Sequence, residues 1–96
     1  MPYRLSPQAT DDLEALYLEG LASFGQRQAD KYIASLRHVL DLIAANPHMA
    51  RIRTEFDGQT RIHPHGSHMI VYEVDDRAVM ILRIRHGREN WTDDPL

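Results

Sequence analysis

The apolar residues of this chain recur every ~3.6 positions as far as Asn46-Pro47 and every ~2 positions beyond residue 60, and this change of period narrows the fold more than any other feature. A helical half ahead of a stranded half makes an α+β domain in two layers. Ser6-Pro7 reads as an N-cap followed by proline at the first helical position, where its missing N–H costs nothing. The set Ala9, Leu13, Leu16, Tyr17, Leu21 and Phe24 predicts one helix, with Gly20 permitting close approach of another element and Gly25 ending it. Asp11, Asp12 and Glu14 lie toward its start and complement the positive end of the helix dipole. A cleaner set, Ala29, Tyr32, Ile33, Leu36, Val39, Leu40 and Ile43, predicts a second helix. Asn46-Pro47 closes it, because the residue before proline is pushed out of the α region. The two helices form an αα-hairpin.

Residues 47–59 carry turn-formers and read as a connecting loop. Thr60–His63 predicts a strand, Pro64-His65-Gly66-Ser67 a turn, and His68–Val74 a second strand. Asp75-Asp76 is a tight hairpin turn before a third strand, Ala78–Arg85. Val79-Met80-Ile81-Leu82 is apolar on both faces, which places that strand centrally beneath the helices. Tyr3-Arg4-Leu5 alternates and suits a short strand. The expected fold is therefore a short N-terminal strand and an αα-hairpin packed on a C-terminal three-stranded antiparallel meander. At 96 residues there is room for one core, so residues 1–96 are read as a single domain.

Composition removes whole classes of chemistry. The chain has no cysteine, which rules out disulfide frameworks, thiolate metal sites and cysteine nucleophiles and suits a reducing compartment. Apolar runs fall far short of the ~20 residues of a membrane span. Met1-Pro2-Tyr3-Arg4 shows no signal-peptide pattern, so a cytoplasmic location is expected. No Gly-x-Ser-x-Gly elbow and no glycine-rich phosphate loop occurs, and no cofactor is expected. The net charge of −3 argues against a surface that clamps nucleic acid throughout. Lys31 is the only lysine against ten arginines, a skew toward planar, bidentate pairing.

Two clusters carry possible chemistry. His63, His65 and His68 fall within six residues, and the first two would share a face if a strand ran through Pro64. Proline and glycine interrupt the run, so the reading is a polar turn with surface imidazoles and no metal site. The second cluster is basic. Arg61 opens one strand, Arg83 and Arg85 lie two apart on the last, and His86-Gly87-Arg88 follows; a meander could add Glu55 from the loop. A metal-independent ribonuclease needs such a kit: a base for the 2′-hydroxyl, cations for the phosphorane, an acid for the leaving oxygen. The alternative is that these arginines are solvated or paired with Glu73 and Glu89.

Several short motifs occur in a specific order: Leu5-Ser6-Pro7-x-Ala9, Phe24-Gly25-x-x-Gln28-Ala29, Asn46-Pro47 and Arg51-x-Arg53. They continue with Arg61…Gly66-Ser67-His68-x-Ile70-x-Tyr72 and Ile81-Leu82-Arg83-Ile84-x-His86-Gly87-Arg88. In this order and spacing the chain resembles, over nearly its whole length, the ParE-type toxins of the ParE/RelE superfamily from bacterial type II toxin–antitoxin modules. The resemblance implies a toxin that inhibits DNA gyrase, acting as a binding module rather than an enzyme. Its alternative is a ribosome-dependent mRNA endoribonuclease of RelE type, for which Glu55, Arg61, Arg83 and His86 occupy similar positions. Near-absence of lysine, the negative charge, and Gly87 where one ribonuclease subgroup places tyrosine favour gyrase. A degenerate, non-toxic antitoxin-binding homologue is the third reading.

By the same resemblance, the target-binding surface lies around the last strand and the C-terminal segment, at Arg83, His86, Arg88 and Trp91. The implied partner is a ParD-like ribbon–helix–helix antitoxin whose C-terminal segment orders around the toxin, with no sequence-specific nucleic-acid binding by the toxin alone. Leu18, Leu21 and Ala22 lie beyond one helix stripe and are the candidate antitoxin groove.

Overall fold

A computed structural model describes residues 1–56 and 58–87. Strand β1 (Tyr3–Leu5) leads into helices α1 (Pro7–Phe24) and α2 (Gln26–Ala45), and strands β2 (Arg61–His65), β3 (His68–Val74) and β4 (Val79–His86) follow. The sheet order is β1-β4-β3-β2. β2, β3 and β4 form the expected antiparallel meander, and β1 adds to its far edge parallel to β4. The apolar β4 is thereby central over its first half.

Ser6 starts α1 and ties it to the sheet. Its Oγ accepts from the Ala9 backbone N–H at 3.0 Å and donates to the Leu82 carbonyl at 2.7 Å, while its own N–H donates to the Ile81 carbonyl. One hydroxyl thus caps a helix and satisfies a strand edge. Ser6→Ala is expected to cost about 1–2 kcal/mol, read as a lower urea midpoint at unchanged m-value. Gly20 gives α2 its approach: a Cβ there would stand 3.4 Å from the Ala29 Cβ.

The main core joins Ala9 and Leu13 of α1 and Leu36, Leu40 and Ile43 of α2 to Ile70, Tyr72, Val79, Ile81 and Ile84. Tyr72 is fully buried, and its hydroxyl donates to the Pro47 carbonyl at 3.0 Å, pinning the segment after α2. Phe24, read as part of the helix stripe, is 74% exposed at the last position of α1, before Gly25 ends the helix.

Three boundaries differ from the sequence reading. β2 continues through Pro64 to His65, and the turn is the two residues Gly66-Ser67. Proline is tolerated because β2 is an edge strand: His65 pairs with His68 to close the hairpin, so the Pro64 nitrogen faces away from β3. Gly66 has φ 56° and Ser67 has negative φ, the pattern of a type II′ turn. The second hairpin closes over Asp75–Ala78 rather than on two residues, with the Asp75 carboxylate accepting from the N–H groups of Arg77 and Ala78. Finally, β4 carries a bulge. Val71 pairs with Arg83 and Tyr72 with Ile81, leaving Leu82 as the extra residue. Leu82 joins Ile62, Val71, Phe56 and Met69 in a second cluster on the sheet face away from the main core.

Candidate functional site

Beyond the bulge, β4 pairs with β3 on one edge only, because β1 ends opposite Ile81 on the other. Asp12 of α1 fills that gap. Its carboxylate accepts from Arg83 Nε at 2.7 Å and an Arg83 terminal nitrogen at 2.9 Å, and from the Ile84 backbone N–H at 2.9 Å. This is a bidentate, charge-assisted pair that also satisfies an open strand edge. The dipole role read for Asp12 is corrected accordingly: it lies past the first turn and turns toward β4.

The basic kit is not gathered at one point. Arg83 points to Asp12, and Glu55 pairs with Arg53, whose guanidinium holds the Glu55 carboxyl below its ordinary range and also lies 5.9 Å from the Phe56 ring centre. Arg61 donates to the Ala50 carbonyl at 2.5 Å. Arg61 stands opposite Tyr72 and His86 opposite His68, four residues apart along β3, which separates them by ~13 Å along the strand direction alone. Arg85 pairs in register with Met69. Arg88 and Trp91 lie outside the described residues. On α1, Leu18 and Ala22 are exposed and Leu21 is half-buried.

What the fold does gather is imidazole. With β2 extended through Pro64, Arg61, His63 and His65 alternate onto the face that bears Ile70 and Tyr72. His68 lies opposite both His65 and His86, and the His68 and His86 rings meet edge-to-face with centres 5.3 Å apart. The Tyr32 hydroxyl donates to the His65 carbonyl at 3.2 Å and contacts His68 Nδ1 at 2.8 Å. That hydroxyl therefore bridges the end of β2 and the start of β3. Ser35 Oγ donates to the Tyr32 carbonyl at 3.0 Å and contacts His65 Nε2 at 3.0 Å. Tyr32 and Ser35 of α2 thus clamp the β2–β3 turn. The His63 Nδ1 is buried without a hydrogen-bond partner among the described residues. Among those residues no group of three or more His, Asp or Glu side chains converges to hold a metal ion.

Tyr32, Ser67, His68 and His86 line a cleft of about 280 Å³ together with Leu16, Glu19, Gly20, Phe24 and Ala29. Burial pushes the Tyr32 hydroxyl pKa up. Burial, helped by the neighbouring His63, pushes the His65 imidazole down. A depressed imidazole pKa means the unfolded chain binds the extra proton more readily. The contribution of His65 to stability is therefore complete above its unfolded value near 6.5 and is shed as pH falls from there through the lower folded value. Thermal melts between pH 7.5 and 5 should show this decline, and His65→Asn should flatten it. Tyr32 and Ser35 were hidden in the sequence as ordinary positions of a helix; their three-residue spacing, which puts two hydroxyls on one helix face, was the available signal.

Residues 3–91 match the family described as the ParE toxin of the type II toxin–antitoxin system parDE. The chain belongs to the ParE toxin family. Toxin ParE1 of Mycobacterium tuberculosis (strain CDC 1551 / Oshkosh) is 33% identical over 87 residues, covering 90% of this chain and 89% of that protein. Toxin ParE1 of Caulobacter vibrioides is 33% identical over 89 residues, covering 93% and 92%. The solved chromosomal ParDE system of P. aeruginosa holds a chain that superposes with a TM-score of 0.75 at 21% identity, covering 90% of this chain and 95% of that one. This likeness extends the ParE fold to the two helices and the mixed four-stranded sheet. Among the described residues no helix is long and apolar enough to cross a membrane.

Proposed function

We propose that this ParE-family chain is a cytoplasmic toxin that inhibits DNA gyrase and is neutralised by a ParD-like antitoxin. The observation that supports binding over RNA cleavage is the Asp12–Arg83 pair. A ribonuclease needs cations aimed at the phosphorane, whereas Arg83 is spent on an internal carboxylate and Glu55 on Arg53. In this reading Arg83 serves target binding by holding the end of β4 in place, and His86, Arg88 and Trp91 make the contact. A binding module of this kind acts by favouring one state of its target.

The antitoxin segment is read as lying along α1, over Leu18, Leu21 and Ala22 and toward the exposed Phe24. Apolar surface at 56% exposure on Leu18 and 74% on Phe24 offers the burial that an ordering segment requires. Strand addition to β4 is disfavoured, since Ser6 and Asp12 already satisfy its outer edge. Expression of the chain alone is expected to arrest growth and induce the DNA-damage response, and co-expressed ParD-like antitoxin to restore growth. Leu18→Glu should keep toxicity and lose rescue. Arrest with rapid mRNA cleavage and no damage response would replace this reading by the RelE-type one, and harmless expression would point to a degenerate homologue.

A further inference from the structure

We propose that the partner segment received by the outer face of α1 is a basic amphipathic helix, an inference that rests on the antitoxin reading and names the chemistry of that segment. A helix packed on one side needs one apolar stripe, and α1 carries two. Ala9 and Leu13 are buried in the main core. Ala15, Leu18 and Ala22 follow one another at three and four residues and are all exposed, which aligns them along the side turned away from that core. Leu18 and Phe24 are the two most exposed large apolar side chains among the described residues. Alanine on either side of Leu18 leaves room for a second helix backbone to come close.

Charge selects the occupant. The charged side chains of α1 are Asp11, Asp12, Glu14 and Glu19, with no lysine, arginine or histidine among them. Asp12 is spent on Arg83. The other three are exposed and make no ion pair among the described residues. Asp11 stands four residues before Ala15, Glu14 four before Leu18 and Glu19 four after Ala15, so each is a same-face neighbour of the stripe. Arg37 of α2 lines a groove with Glu14 and leaves it unpaired. A second copy of this chain, or an acidic segment, would set carboxylates against carboxylates at such an interface. A helix with lysine or arginine beside an aliphatic stripe answers both the apolar row and its acidic border. The net charge of −3 adds attraction of the same sign at longer range.

The test measures association of the purified chain with the full-length ParD-like antitoxin as salt and charge are varied. Wild-type association should slow about tenfold between ~20 mM and ~200 mM sodium chloride, as opposite charges are screened. Glu14→Lys with Glu19→Lys should weaken binding about tenfold or more, chiefly through slower association, and flatten the salt dependence. Glu14→Gln with Glu19→Gln keeps good helix formers and adds no like charge, so a smaller loss in the same direction is expected. The wild-type salt series stands even if a variant fails to fold. Unchanged or tighter binding by the folded reversed variant, or association that salt leaves alone or speeds up, overturns the basic helix while the antitoxin reading survives. Dimerisation of the chain alone, lost in Leu18→Glu, would give the face to a second copy and overturn it too. No binding of the antitoxin to the wild type fails the antitoxin reading itself, and this inference with it.

Discussion

Asp12→Ala is expected to destabilise the protein by about 2–3 kcal/mol, which for a chain of this size lowers Tm by roughly 10–20 °C. The carboxylate does two jobs. It neutralises Arg83 through two charge-assisted bonds and accepts the Ile84 N–H at a strand edge with no neighbouring strand. Side-chain exposures of 21% and 16% place the pair well short of full solvation, so water only partly replaces what alanine removes. Asp12→Asn keeps an acceptor for one partner and should recover part of the loss. The double variant Asp12→Ala with Arg83→Leu should be less destabilised than the two single effects added, since the stranded cation is then gone as well. Strict additivity in chemical denaturation would show that the pair contributes nothing.

The second large effect is at Gly66. An added Cβ would stand 2.8 Å from the Tyr32 hydroxyl oxygen and 3.1 Å from a ring carbon, at a φ of 56° that L residues rarely adopt. A free tyrosine could swing away, but Tyr32 is held by His65 and His68. The clash therefore breaks the clamp between α2 and the β2–β3 turn as well as straining the backbone. Gly66→Ala is expected to cost about 2–3 kcal/mol, with lost amide protection at His65 to His68. Adding Tyr32→Phe removes the closest atom, so the double variant should lose less than the sum. If Gly66→Ala melts with the wild type, the clamp is not as described.

Much of this fold was legible from periodicity because the main apolar stripes are long and regular. Leu36, Leu40 and Ile43 fall where the helical period puts them, and Val79 and Ile81 where a central strand needs them. The reading failed where a tertiary neighbour decides. Pro64 looked like a turn because sequence does not show which strand lies at an edge, and at an edge its missing N–H costs nothing. The bulge at Leu82 and the parallel docking of β1 are likewise choices of pairing, invisible in a local pattern. For the candidate site, the residue types were legible and their partners were not. Arg83 and His86 were singled out, but Asp12 lies 71 positions from Arg83 and Tyr32 36 from His68, and no spacing rule links residues so far apart.

The central claim is that this chain acts by binding gyrase, and a supercoiling assay with purified gyrase, relaxed plasmid and the purified chain tests it most directly. Supercoiling should fall with added toxin, cleaved plasmid should accumulate, and a ParD-like antitoxin should restore activity. Unchanged supercoiling at saturating toxin, with mRNA cut on programmed ribosomes in a parallel reaction, would contradict it.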